Sequence, residues 1–245
     1  TVDYSDLTLD VYAERKAQVA QTIVDQIAPD YLSLGGEPDT EARLTGLREL
    51  DDPAAHAEFL RRVLARIDRK STKLGAGSGT WVSAQFARAY ASSTSIDFVD
   101  MHIYPVGPAI VNNTLQIAEI ARQFNKPVVI YEAWLYKTAG NESQGAGIAA
   151  SEAIYARDAF TVWQPLDQRF LSALVGLANA ERMAYISPFW SAYFYGQLEY
   201  EPGVAALPPA QILGAASQVA GRGMQSRTPT ALGTHYRALI QANQQ

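Results

Sequence analysis

Apolar positions along the chain follow two alternating periods. Over residues 11–28, Val19, Ile23, Val24 and Ile27 recur at helical spacing and predict a helix with that stripe inward, stopped by Pro29 and Asp30. Tyr31-Leu-Ser-Leu34 is a short apolar run, read as a strand that ends in Gly35-Gly36-Glu37-Pro38. A second helix is expected over 52–69, with Asp52 as N-cap, Pro53 in the first turn, and Leu60, Val63, Leu64 and Ile67 facing inward. A weak strand at 73–77 leads to a helix around 82–92, and Ser95–Tyr104 is the next strand, closed by Pro105. A helix over 113–125 precedes Pro127–Trp134, whose continuous apolar run predicts a buried strand. A polar, Gly-rich loop, Lys137–Gly147, opens a long helical stretch over about 151–181. Ala184–Trp190 reads as the last strand and 229–243 as a terminal helix.

Repeated strand–helix units imply an α/β fold with a parallel sheet. A closed (β/α)8 barrel and an open doubly wound sheet compete, and no Gly-rich phosphate-binding turn follows any strand, which favours the barrel. Five strands are visible, whereas a full barrel takes roughly 250 residues or more. The chain is expected to be a single, partial TIM-barrel domain over 1–245, the last five units of a barrel whose first strands lie elsewhere. It begins at Thr1 rather than Met, in keeping with a piece of a longer protein. Leu32–Leu34 and Ala184–Trp190 would then be open edges, to be filled by an N-terminal segment of the same protein or by a second copy of the chain.

Composition narrows the function classes. A net charge of −5 without charge blocks argues against a nucleic-acid surface. The absence of cysteine excludes disulfides, thiolate metal sites and a Cys nucleophile. No apolar run reaches the ~18 residues of a membrane helix. Three histidines, His56, His102 and His235, argue against a His-rich metal site, although Asp39 and Asp100 could join Glu37 or Glu132 around a divalent ion. Asn112-Asn-Thr114 and Asn141-Glu-Ser143 match the glycosylation triplet, a pattern frequent by chance.

Barrel chemistry sits at the carboxyl ends of strands. Those ends carry Glu37, Gly77, His102 with Tyr104, Glu132 with Trp134, and Trp190. Two are carboxylates that close strongly apolar strands, where an isolated charge is costly unless it is paired or functional. One carboxyl that protonates a leaving oxygen and one carboxylate that attacks carbon is the pair that glycosidic cleavage needs.

The segments Pro29–Asp39, Asp97–Pro105 and Pro127–Trp134 resemble strands 4, 6 and 7 of the large clan of retaining (β/α)8 glycoside hydrolases that includes galactanases, cellulases and mannanases. The resemblance implies Glu37 as acid/base and Glu132 as nucleophile. It implies His102 and Tyr104 as hydrogen-bonding partners of the carboxylates and substrate, and Trp190 as the floor of a sugar subsite. Trp134, Phe189 and Tyr193 would stack on sugar faces. One position departs: Gly36 stands where the clan has Asn, which holds the sugar 2-hydroxyl. The expected activity is double-displacement hydrolysis of a β-linked poly- or oligosaccharide, without cofactor or metal, by a secreted or periplasmic protein. A non-catalytic carbohydrate-binding barrel or inactive fragment, and a metal-assisted barrel enzyme using the same carboxylates, are the alternatives. The expected partner is carbohydrate, with neither nucleic acid nor membrane.

Overall fold

The structure is a computed structural model that describes residues 7–105, 107–138, 142 and 152–243. Most of the loop Lys137–Gly147, including the triplet at Asn141, lies outside the described residues, whereas Asn112 sits on a helix.

Strands β1 (Tyr31–Ser33), β2 (Lys73–Gly79), β3 (Phe98–Ile103), β4 (Val128–Ala133) and β5 (Ile186–Pro188) form one parallel sheet in the order β1-β2-β3-β4-β5. Tyr31 stands opposite Lys73, and Gly75, Gly77 and Gly79 stand opposite Phe98, Asp100 and His102. A doubly wound sheet reverses its order at a switch point, whereas neighbours that follow sequence order are what a barrel requires. The observed order is sequential, and β1 and β5 are its outer strands.

Helices α1 (Leu9–Gln26), α2 (Pro38–Thr45), α3 (Pro53–Leu64), α4 (Gln85–Ser93) and α5 (Pro108–Gln123) alternate with the first four strands. Asp52 caps α3 as its sequence predicts, accepting from the N–H groups of Ala54 and Ala55 with Pro53 in the first turn. The buried face of α1 differs from expectation. Ala13, Ala17, Ala20 and Val24 face the core, while Val19 and Ile27 are exposed. The helix packs close through a stripe of alanines, which a count of large apolar residues overlooks.

The remaining helices are α6 (Glu152–Arg157), α7 (Gln164–Ala180), α8 (Pro202–Ala205), α9 (Pro209–Ser226) and α10 (Ala231–Ala242). The helical stretch expected over 151–181 is broken in two. Phe160 bridges to Leu198 and a short 3-10 turn, Thr161–Trp163, intervenes. The sequence reading did not foresee α9, because it buries only Ile212, Ala216 and Ala220 among glycines and polar residues.

The chain divides into two compact units. The first comprises residues 1–103, 107–132 and 181–187, and so holds most of the sheet and α1 to α5. Its core includes Phe59, Leu60, Leu74, Phe98 and Val99. His56 is fully buried there, with Nδ1 2.9 Å from the Tyr90 hydroxyl, as a core histidine. Glu41 is largely desolvated, which alone would raise its carboxyl, yet Lys16 and His56 hold it down to about 2. The second unit, residues 104–106, 133–180 and 188–245, is mainly helical around Trp134, Leu171, Tyr193 and Leu232.

Candidate active site

Glu37, His102 and Glu132 come together at the carboxyl ends of β1, β3 and β4, all within the first unit. Glu37 ends the turn after β1, where Pro38 starts α2 and fixes the chain direction. His102 Nδ1 lies 3.0 Å from Glu37 Oε1 and 3.3 Å from Glu132 Oε2, and one donor atom from each of the three residues lies within 4.8 Å of the others. In a flat sheet, strands three apart sit about 14 Å from each other at the usual spacing. The close approach of Glu37 and Glu132 therefore requires the sheet to bend around β3.

The sequence of β2 makes room for this. A Cβ at Gly77 would overlap Asp100, so Asp100 reaches across β2 and accepts a hydrogen bond from the Ser33 hydroxyl of β1. Gly36 has the same logic. A side chain there would collide with the His102 imidazole, which occupies the space directly above it.

The charges of the cluster are coupled. Burial alone would raise the Glu37 carboxyl, but hydrogen bonds from His102 and Thr40, with the positive charges of His102 and Arg43, hold it below its ordinary value. Burial would lower His102, yet its bond to Glu37 and the charges of Asp100, Glu132 and Glu37 raise it. Asp100, wholly buried beneath them, is pushed up to about 6 by desolvation, against the pull of His102 and Ser33. The carboxylates themselves stay reachable, with side chains 26% and 29% exposed. A cleft of about 280 Å³ opens beside them, lined by residues including Lys16, Val19, Leu32, Gly36, His102 and Glu132.

Among the described residues, Glu37, His102 and Glu132 are also the group whose donor atoms could share a metal ion. Asp39 and Asp100 are not part of it. Asp39 Oδ2 accepts from the Trp81 indole at 2.9 Å, and Asp100 is sealed below.

The other sequence-predicted residues belong to the second unit. Tyr104 is buried and stacks on Tyr136 at 4.9 Å. Trp134 has no exposed surface: Tyr193 packs against it and the Lys137 ammonium lies 5.2 Å from its ring centroid. Stacking on a sugar needs an open ring face, which Trp134 lacks, and Tyr193 is almost as deeply buried. Trp190 is partly exposed, stacked on Tyr193 at 5.5 Å and edge-on to Phe189 at 5.0 Å, and Phe189 is exposed. Sequence reading missed Trp81, an exposed aromatic just past the end of β2, because the Gly-rich strand before it reads weakly.

No protein-family model and no curated protein matches this sequence. Solved structures do. A GH53 catalytic domain from Ignisphaera aggregans superposes with a TM-score of 0.51 at 14% identity, over 79% of this chain and 57% of that one. Cel5A of Thermotoga maritima in complex with mannotriose gives 0.46 at 14% identity, over 80% and 60%. A GH113 beta-mannanase from Alicyclobacillus acidocaldarius gives 0.45 at 13% identity, over 86% and 62%. The chain spans less than two thirds of each of these proteins. The first of them establishes the likeness, one of fold: five consecutive strand–helix units arranged like part of a glycoside hydrolase.

Proposed function

We propose that the chain is part of a retaining (β/α)8 glycoside hydrolase acting on a β-linked poly- or oligosaccharide. The observation that carries this reading is the approach of two carboxylates from strands three apart, with one oxygen of each and a ring nitrogen of His102 within 4.8 Å of one another. Double displacement uses carboxyl groups about 5–5.5 Å apart, whereas inversion needs about 6.5–9.5 Å to admit a water. The fold likeness to a GH53 domain supports the same class.

In this reading Glu132 attacks the anomeric carbon and Glu37 protonates the departing oxygen. Water, deprotonated by Glu37, then releases the sugar from Glu132. Glu37 is held below its ordinary value and His102 is raised, so in this reading the hydrogen-bonded pair acts together as the acid. Sugar binding displaces solvent from Glu37 and draws the proton onto it, because desolvation disfavours its charged form. His102 also bridges both carboxylates and holds their separation.

Product stereochemistry tests the reading. Proton NMR of β-linked galactan, mannan and cello-oligosaccharide digests should show the β-anomer first, before mutarotation. An α-anomer appearing first would overturn the retaining assignment.

A further inference from the structure

We propose that Trp81 is a stacking platform for the sugar unit on the leaving-group side of the scissile bond. This rests on the roles given above to Glu37 and Glu132, and adds a subsite and its polarity.

Trp81 is 40% exposed, yet it is held on several sides. Its indole Nε1 donates to Asp39 Oδ2 at 2.9 Å, which fixes the ring plane. Its six-membered ring lies against Gly79, where any Cβ would overlap it. The turn that carries it is pinned from both ends. Thr80 donates through N and Oγ1 to the His102 carbonyl at 2.9 and 3.0 Å, and Asn113 of α5 donates to the Thr80 and Val82 carbonyls. An exposed aromatic that serves only packing needs no such anchoring. A rigid one loses little freedom when a ligand stacks on it, which is what a binding platform requires.

Its position gives the polarity. Gly79 pairs with His102 across the sheet, and Asp39 lies two residues beyond Glu37. Trp81 therefore stands on the Glu37 side of the cluster. The cleft reaches Glu132 and is lined by α1, Leu32, Gly36, His102 and Tyr131, and Trp81 is not among its lining residues. The sugar whose anomeric carbon meets Glu132 fills that cleft, and the unit that leaves with the proton from Glu37 extends toward Trp81. The hydrophobic C–H face of a β-linked pyranose is the matching surface for an indole.

Isothermal titration with cellopentaose, mannopentaose and galactopentaose on the Glu132→Gln chain, which holds substrate without turnover, tests the platform. Adding Trp81→Ala should weaken the bound pentasaccharide about tenfold or more, while Trp81→Phe stays within about threefold. In the parent background, Trp81→Ala should raise KM for the polysaccharide about tenfold. Equal pentasaccharide affinity with and without the indole, or no pentasaccharide bound by Glu132→Gln, overturns the platform. Nitrophenyl hydrolysis by the parent judges the hydrolase reading separately. An inactive parent that still needs Trp81 to bind sugar would retain the platform and lose the enzyme.

Discussion

The two units each contain a cluster of two carboxylates and one basic group, and the clusters differ in their access to solvent. In the first, His102 stands between Glu37 and Glu132, both more than a quarter exposed beside a cleft. In the second, the Lys137 ammonium is bonded to Asp158 at 2.9 Å, to Asp167 more closely still, and to the Leu135 carbonyl, and none of the three side chains exceeds 2% exposure. Burial pushes Asp158 up to about 6 and raises Asp167, with Lys137 opposing both shifts. Similar groups thus serve different ends. A sealed cluster can only hold segments together, here the chain after β4 to the start of α7. An open one can exchange protons and meet a substrate. Charge composition does not separate them, and exposure does.

Breaking the sealed cluster should give the largest loss of stability. Lys137→Met leaves two buried carboxylates without a cation, and removing one partner of a buried pair costs about 3–5 kcal/mol. Thermal unfolding should show this as a lower Tm at neutral pH. The triple variant that also carries Asp158→Asn and Asp167→Asn should recover part of it. A Lys137→Met Tm equal to the parent's would show that the cluster bears no load.

A smaller effect sharpens the contrast just beneath the open cluster, where Asp100 is sealed. Its carboxyl titrates near 6 when folded against an ordinary 3.8, so the folded state holds the proton more tightly between those values. Stability should therefore be highest below about pH 4 with respect to this group, fall as pH rises to about 6, and level off. The change amounts to about 2–3 kcal/mol at 1.36 kcal/mol per unit. Asp100→Asn should abolish that segment of the stability–pH curve in urea titrations and make the protein more stable at pH 7. A parent curve that rises between pH 4 and 6 through this group would contradict desolvation as the dominant influence on Asp100.

Two of the strands that carry the cluster were legible because each is a mainly apolar run leading to a glutamate. Leu32–Leu34 into Glu37 and Val128–Tyr131 into Glu132 needed no other information. The resemblance to a glycosidase clan supplied the roles. What the sequence hid depends on small residues and on distance. The buried stripe of α1 is made of alanines, so Val19 and Ile27 were misplaced inward. Gly36 reads as a lost donor until the His102 ring is seen above it. Gly75, Gly77 and Gly79 read as a weak strand, although their missing side chains admit Phe98, Asp100 and Trp81. Trp134 read as a sugar-facing aromatic because a strand end does not reveal that Tyr193 and Lys137 cover the ring.

The central claim is that Glu37 gives the proton and Glu132 makes the bond. A series of aryl glycosides of graded leaving-group acidity, hydrolysed by Glu37→Ala and Glu132→Gln, tests it most directly. Glu37→Ala should lose about 10²–10⁴-fold on the poorest leaving groups and little on dinitrophenyl, which leaves without a proton, because only the former need general acid help. Glu132→Gln should lose activity on all of them alike. Near-parent turnover by Glu132→Gln, or a loss in Glu37→Ala that is uniform across the series, would contradict the assignment.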